Sequence, residues 1–243
     1  MLVEAFYKKP ILLSEEALAA LKPYQTIALF GSVQFIKLDA VIHQLKTEKK
    51  EIISAHGKRT SGDFQLLGCD CFQDSFSYPG LFEKADAILY IGDGLFHPKS
   101  LLLAQLGSTQ KDIIIFSPIG SSVKKITKKD IEAQIKKYKA NLVKFLHADT
   151  VGILVSTKSG QSYLMNAIAL RKELKQRDKE SFIFVDDTIS LANGENFPFI
   201  QVWVNTACPR IGFDDIMHYS KPLININDAF TPEQAVERYG RGH

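Results

Sequence analysis

Cysteine is scarce: the 243 residues hold three, Cys69, Cys71 and Cys208. They are too few and too unevenly spaced for a disulfide framework, and no basic stretch followed by an apolar one precedes the first predicted helix. A reducing cytoplasm is therefore the expected compartment. Long hydrophobic runs are missing too. None reaches the roughly 18–20 residues that cross a bilayer, because Lys, Asp or Gly interrupts each within a strand's length, so no membrane partner is expected. Charge is nearly balanced at a formal net +3, which does not mark a nucleic-acid binder. Low-complexity tracts, sequence repeats and long Pro/Gly linkers are absent as well.

What is present is ample apolar content, 45%, in a length that favours two domains of about 100–150 residues. Short apolar runs alternate with helical patterns. Thr26–Phe30 precedes a helix from about Gln34 to Lys46. Glu51–Ile53 and Ala87–Ile91 follow, then a helix from about Pro98, then Ile113–Phe116. The pattern restarts at Val151–Val155, with a helix from about Gln161 to Lys175, and continues with Phe182–Val185 and Gln201–Val204. This alternation predicts an α/β protein of two similar doubly wound domains, residues 1–148 and 149–243, each a parallel sheet covered by helices. Between the halves, Ile131, Ile135, Tyr138, Leu142 and Phe145 mark the apolar face of a helix. Lys136, Lys137, Lys139 and Lys144 give it a basic outer surface, read either as a solvated flank or as a docking face for an acidic partner or RNA.

In open parallel sheets ligands gather at the carboxyl ends of strands. Three loops there carry candidate residues. Gly92-Asp93-Gly94 offers bare backbone to a ligand, or is only a strand-to-helix turn. His97, beside Pro98 at a helix start, fits a structural polar contact better than a metal. Thr157-Lys158-Ser159-Gly160-Gln161 has the lysine, hydroxyls and glycine of an anion cradle without the order of a Walker A motif. Cys208 sits before Pro209, which stiffens the turn, and Arg210, whose charge favours a thiolate; a metal ligand or a small buried hydrophobe both suit it. Cys69 and Cys71 form a Cys-x-Cys after Gly68 that suits chelation. Asp186-Asp187 and Asp214-Asp215 read as caps, turns or cation ligands.

The segments Ala85–Pro98, Leu67-Gly68-Cys69, Val155–Gln161 and Trp203–Ile211 together resemble the diphthamide synthase family, the 2-(3-amino-3-carboxypropyl)histidine synthase subunits. The likeness runs in order from about Tyr24 to Ala229. It implies three similar domains, each giving one cysteine to a 4Fe-4S cluster that holds S-adenosylmethionine. Reductive cleavage releases a 3-amino-3-carboxypropyl radical, which adds to a histidine of translation elongation factor 2. On this resemblance Cys69 and Cys208 are the second- and third-domain cluster ligands. Gly92, Asp93, Gly94, Thr157, Lys158, Gly160 and Gln161 are expected to line the S-adenosylmethionine or target pocket.

Family members with the full arrangement carry a further N-terminal domain bearing the first cysteine, whereas this sequence begins near where that domain ends. The expectation is one part of a split enzyme, its cluster completed by a separately encoded or sister subunit. Cys71 as a third thiolate, a non-catalytic family partner, and pairing of the chain with itself stay open. A nucleotide- or phosphate-binding α/β protein without a cluster is the competing reading.

Overall fold

Thr26–Gly31 and Asp112–Ser117 are short, apolar and flanked by turn residues, and both form strands buried along most of their length, as the interior of a parallel sheet requires. The structure, a computed structural model, describes residues 6–57, 60, 62–68, 71, 76–106, 110–158, 163–189 and 191–240. The chain divides into two units, Met1–Ile131 and Glu132–His243.

The first unit runs α1 (Glu15–Leu21), β1 (Thr26–Gly31), α2 (Asp39–Thr47), β2 (Glu51–Ile53), α3 (Leu81–Lys84), β3 (Ala87–Ile91), α4 (Phe96–Ala104), β4 (Asp112–Ser117) and β5 (Ser122–Ile126). Its sheet order is β2-β1-β3-β4-β5, parallel except for β5, which pairs antiparallel with β4. Alternation along the strands splits the core into two layers. Ile27, Leu29, Leu89, Ile91, Ile114 and Phe116 form one cluster with Ala17 and Leu21 of α1 and Val41 and Leu45 of α2. Phe30, from the opposite face of β1, meets Phe76 at 5.3 Å between ring centroids, and Phe76 meets Phe82 of α3 at 5.7 Å. Helices on both faces make the unit doubly wound, as expected. Ser14 starts α1 by accepting the Ala17 N–H at 3.2 Å, a cap worth about 1 kcal/mol. The Asp86 carboxylate fixes the start of β1 by accepting the N–H groups of Gln25 and Thr26 at 2.9 and 2.8 Å. Those two bonds also hold its pKa below the ordinary value.

The second unit runs α5 (Glu132–His147), β6 (Thr150–Ser156), α6 (Leu164–Gln176), β7 (Glu180–Asp186), β8 (Val202–Asn205), α7 (Ile211–Asp214), β9 (Leu223–Asn225), α8 (Ile226–Phe230) and α9 (Pro232–Gly240). Its sheet is all parallel in the order β7-β6-β8-β9. Counted within each unit, the first four strands of both sheets follow the same order: second, first, third, fourth. Gly152 pairs with Trp203 across β6 and β8, and the indole occupies the space a Cβ on Gly152 would need. Phe184 and Phe197 pack edge-on against that indole at 4.9 and 6.3 Å.

The sequence places the break between halves at Ala148, whereas α5 belongs with the second unit. The reason is polar as well as apolar. Lys137 donates to the Tyr219 carbonyl at 3.1 Å and Asn141 to the Leu223 carbonyl at 3.0 Å, while the Tyr138 hydroxyl accepts the Asn225 N–H at 2.9 Å. The predicted apolar stripe is the buried one: Ile135, Tyr138, Leu142 and Phe145 face inward together with Asn141.

Candidate functional site

Where strand order reverses in a doubly wound sheet, the loops leaving two neighbouring strands diverge to opposite faces and open a crevice at their carboxyl ends. In the first unit that point lies between β1 and β3, in the second between β6 and β8. Five predicted residues flank these points directly: Gly92, Asp93 and Gly94 after β3, Thr157 after β6, and Cys208 after β8. Lys158 follows Thr157. Gly160, Gln161 and Cys69 lie outside the described residues.

In the first unit β1 and β3 end together. The Ser32 N–H donates to the Ile91 carbonyl at 3.0 Å, and the Gly92 N–H donates to the Phe116 carbonyl at 3.0 Å. Tyr90 is buried just below, and a Cβ on Gly92 would come within 2.8 Å of its ring. Only glycine lets the loop leave the strand this close to the phenol. Gly94 has φ 75°, the left-handed region that also favours glycine. Between them Asp93 is exposed and accepts a hydrogen bond from the Ser117 hydroxyl at the end of β4. Burial, together with the Asp93 charge, pushes the Tyr90 pKa up to about 12 against a hydrogen bond to Ser32. Tyr90 therefore keeps its proton at neutral pH, and its hydroxyl sits 3.1 Å from His97 Nδ1. His97 thus makes the polar contact expected of it.

The segment before Cys69 is placed by the same edge. The Gly31 N–H donates to the Phe64 carbonyl at 2.7 Å and the Leu66 N–H to the Gly31 carbonyl at 3.0 Å, extending the sheet beyond β1. Gly68 lies against the ring of Phe96 at the start of α4, 2.8 Å from where its Cβ would be. Cys71 is fully buried, its thiol donating to the Gly68 carbonyl at 3.3 Å.

In the second unit, the Thr157 N–H donates to the Asp186 carbonyl at 2.9 Å and the Lys158 N–H to Ser156 Oγ at 3.2 Å, leaving both side chains exposed. Asp186 Oδ1 takes the Thr188 N–H at 3.4 Å, a turn contact. One strand over, Thr206 ties the loop to β6: its N–H and hydroxyl donate to the Leu154 carbonyl at 3.1 and 2.8 Å. Two residues later Cys208 is partly exposed and not in a disulfide, and Arg210 beyond it is buried. Asn205 Nδ2 donates to the Cys208 carbonyl at 2.8 Å, and Asn225 Nδ2 donates to the Pro209 carbonyl at 2.8 Å. A thiolate at this edge fits an iron or iron–sulfur site in donor type and in access. Among the described residues no three His, Cys, Asp or Glu side chains gather as a metal site, and no helix is long and apolar enough to cross a membrane.

Sequence reasoning missed the supports of these loops. Asn205 stands inside the segment that carries Cys208 and was open to notice. Asn225, Ser117 and Tyr90 act through pairings that only the folded sheet creates.

A family model described as putative diphthamide synthesis protein matches residues 4–237. The 2-(3-amino-3-carboxypropyl)histidine synthase of Pyrococcus horikoshii is 33% identical over 192 residues, 75% of this chain and 52% of that protein. The enzyme of the same name from Methanocaldococcus jannaschii is 32% identical over 171 residues, 70% of this chain and 44% of that one. Human 2-(3-amino-3-carboxypropyl)histidine synthase subunit 1 is 23% identical over 208 residues, 85% of this chain and 44% of that protein. A crystal structure of Dph2 from Pyrococcus horikoshii with a 4Fe-4S cluster superposes with a TM-score of 0.72 at 27% identity, covering 97% of this chain and 64% of that one. The chain spans about half the length of the curated relatives it matches.

Proposed function

Because the chain belongs to the diphthamide synthesis protein family, we propose that it forms part of an enzyme transferring a 3-amino-3-carboxypropyl group from S-adenosylmethionine to a histidine of translation elongation factor 2. The observation that carries this reading is Cys208, a partly exposed cysteine at the strand-order reversal of a sheet, held in a built loop. Its proposed role is thiolate ligand to a 4Fe-4S cluster, with Cys69 a second ligand. When bound, such a cluster supplies the electron that opens the sulfonium of S-adenosylmethionine and frees the group to be transferred.

The chain's own residues do the holding and orienting. Gly92 and Gly94 let the backbone approach a ligand closely, and Asp93, braced by Ser117, offers a fixed carboxylate to an ammonium group. Thr157 and Lys158, with Gly160 and Gln161, offer hydroxyl, ammonium and amide groups to a carboxylate or to the target loop. Cys71 is assigned to packing. Two thiolates leave a cluster short of ligands, so in this reading the remainder comes from protein outside these 243 residues, a sister subunit being the expected source.

The test is anaerobic co-expression of wild-type and Cys208→Ala chains with the sister subunit, followed by iron counting and assay of S-adenosylmethionine cleavage. Wild type is expected to bind iron and cleave, with both falling at least tenfold in the variant. Unchanged iron content in Cys208→Ala removes the residue from the cluster.

A further inference from the structure

The loop that carries Cys208 is gripped by two asparagine amides whose sequence positions are twenty residues apart. Asn205, at the end of β8, donates through Nδ2 to both the Cys208 carbonyl at 2.8 Å and the Asn225 Oδ1 at 2.9 Å, while its Oδ1 accepts the Ala207 N–H at 3.1 Å. Asn225, at the end of the neighbouring β9, donates to the Pro209 carbonyl at 2.8 Å. The carbonyl of the Cys208–Pro209 peptide and the one after it are thus each held by a strand end, and each also accepts a backbone N–H, from Ile211 at 3.0 Å and from Gly212 at 3.2 Å. Neither amide can be turned over: each nitrogen faces acceptors, and the Asn205 oxygen faces a donor. Both side chains are buried. Gly212, in the turn after Cys208, lies so close to the Asn225 amide that a Cβ there would clash.

The grip continues inward. The Asn225 N–H donates to the Tyr138 hydroxyl at 2.9 Å, and that hydroxyl donates to Asp228 Oδ2 at 2.6 Å. Asp228 is buried and also receives Arg238 at 3.2 Å and the Tyr239 hydroxyl at 3.3 Å, both from α9. A hydrogen-bonded path therefore leads from α9 through the centre of α5 to the backbone on either side of the cysteine. Proline at 209 has no N–H to anchor its own side of the turn, so the carbonyls are the available handles.

We propose that Asn205 and Asn225 are positioning residues for Cys208: their paired amides, backed by Tyr138 and Asp228, fix the loop in its ligand-presenting shape before any metal arrives. The inference deepens the reading of Cys208 as a cluster ligand and rests on it for its purpose, though not for its geometry. A pre-shaped loop spares ligand binding the cost of ordering the turn.

The experiment uses the full chain without metal and measures the rate at which iodoacetamide modifies Cys208, resolved by peptide mass. Variants are Asn205→Asp and Asn225→Asp, which keep the shape and lose the donors, and Tyr138→Phe, which removes the backing hydroxyl. Leu142→Ala, a core truncation elsewhere in the second unit, is the control for general loosening. The two asparagine variants are expected to raise the Cys208 rate at least fivefold and Tyr138→Phe about twofold, with Leu142→Ala staying within twofold of wild type. Rates unchanged in both asparagine variants overturn the proposal, as does an equal rise in Leu142→Ala. If one asparagine variant does not fold, the other and Tyr138→Phe decide. Iron content in Cys208→Ala is the separate arm: unchanged iron there sinks the ligand reading while the rate comparison still judges the clamp.

Discussion

Asp228 shows how a single buried acid serves the loop several residues away. Burial is the largest influence on it and holds its carboxyl pKa above the ordinary 3.8, while the Tyr138 and Tyr239 hydroxyls and the Arg238 charge pull it back. A carboxyl that keeps its proton to higher pH in the native state than in the unfolded one makes its full contribution to stability below the unfolded pKa. That contribution is lost as pH rises from 3.8 through the raised native value. In Asp228→Asn this part of the pH dependence is expected to vanish, so urea midpoints measured from about pH 3.5 to 7 fall less steeply in the variant than in wild type. A variant as pH-dependent as wild type would show that another group carries the slope. Asp86 has the opposite sign: two backbone N–H groups lower its pKa, so its share of stability is present above 3.8 and fades as pH falls below that value. Its exposure keeps that share small.

Elements marked by a continuous apolar run or by an apolar face of regular period were legible in the sequence, and those held by pairing alone were not. Ala87–Ile91 and the apolar stripe of α5 lie where their patterns put them. β5 is a strand only because β4 offers it an edge, and its Lys124 and Lys125 guard an exposed strand. Lys125 bonds Asp112 at 2.7 Å, and Tyr24 donates to the same carboxylate at 2.7 Å. The same division holds for the site. The loops at the strand-order reversals were visible as glycine, cysteine and hydroxyl clusters, whereas Asn225 reaches Pro209 only because β9 lies beside β8. Gly152 illustrates the cost of a pairing that sequence does not announce. Its hydrogen leaves room for the Trp203 indole, so Gly152→Ala is expected to lose about 1–3 kcal/mol of stability by overpacking, read from denaturant unfolding. An unchanged midpoint would mean that the indole moves aside without penalty.

Two units with separate cores and a single tryptophan make the whole chain readable in parts. Trp203 reports on the second unit alone, while backbone circular dichroism sums both. Gly152→Ala is therefore expected to lower the fluorescence transition. Leu29→Ala, a core truncation in the first unit that costs about 2–5 kcal/mol, is expected to lower the dichroism transition and leave the fluorescence midpoint in place. Coincident shifts by both probes in both variants would show that the units unfold as one. The contrast between the two described cysteines has a practical consequence for anyone storing this protein. Cys71 has no water-exposed surface, whereas Cys208 is a partly exposed residue. Peroxide and air carry an accessible thiolate to sulfenic and then sulfinic acid, and they spare a shielded one. Of these two, ageing damage thus concentrates at Cys208, a residue proposed to matter, while a bulk thiol titration of the denatured chain still counts Cys71 and so understates the loss at Cys208.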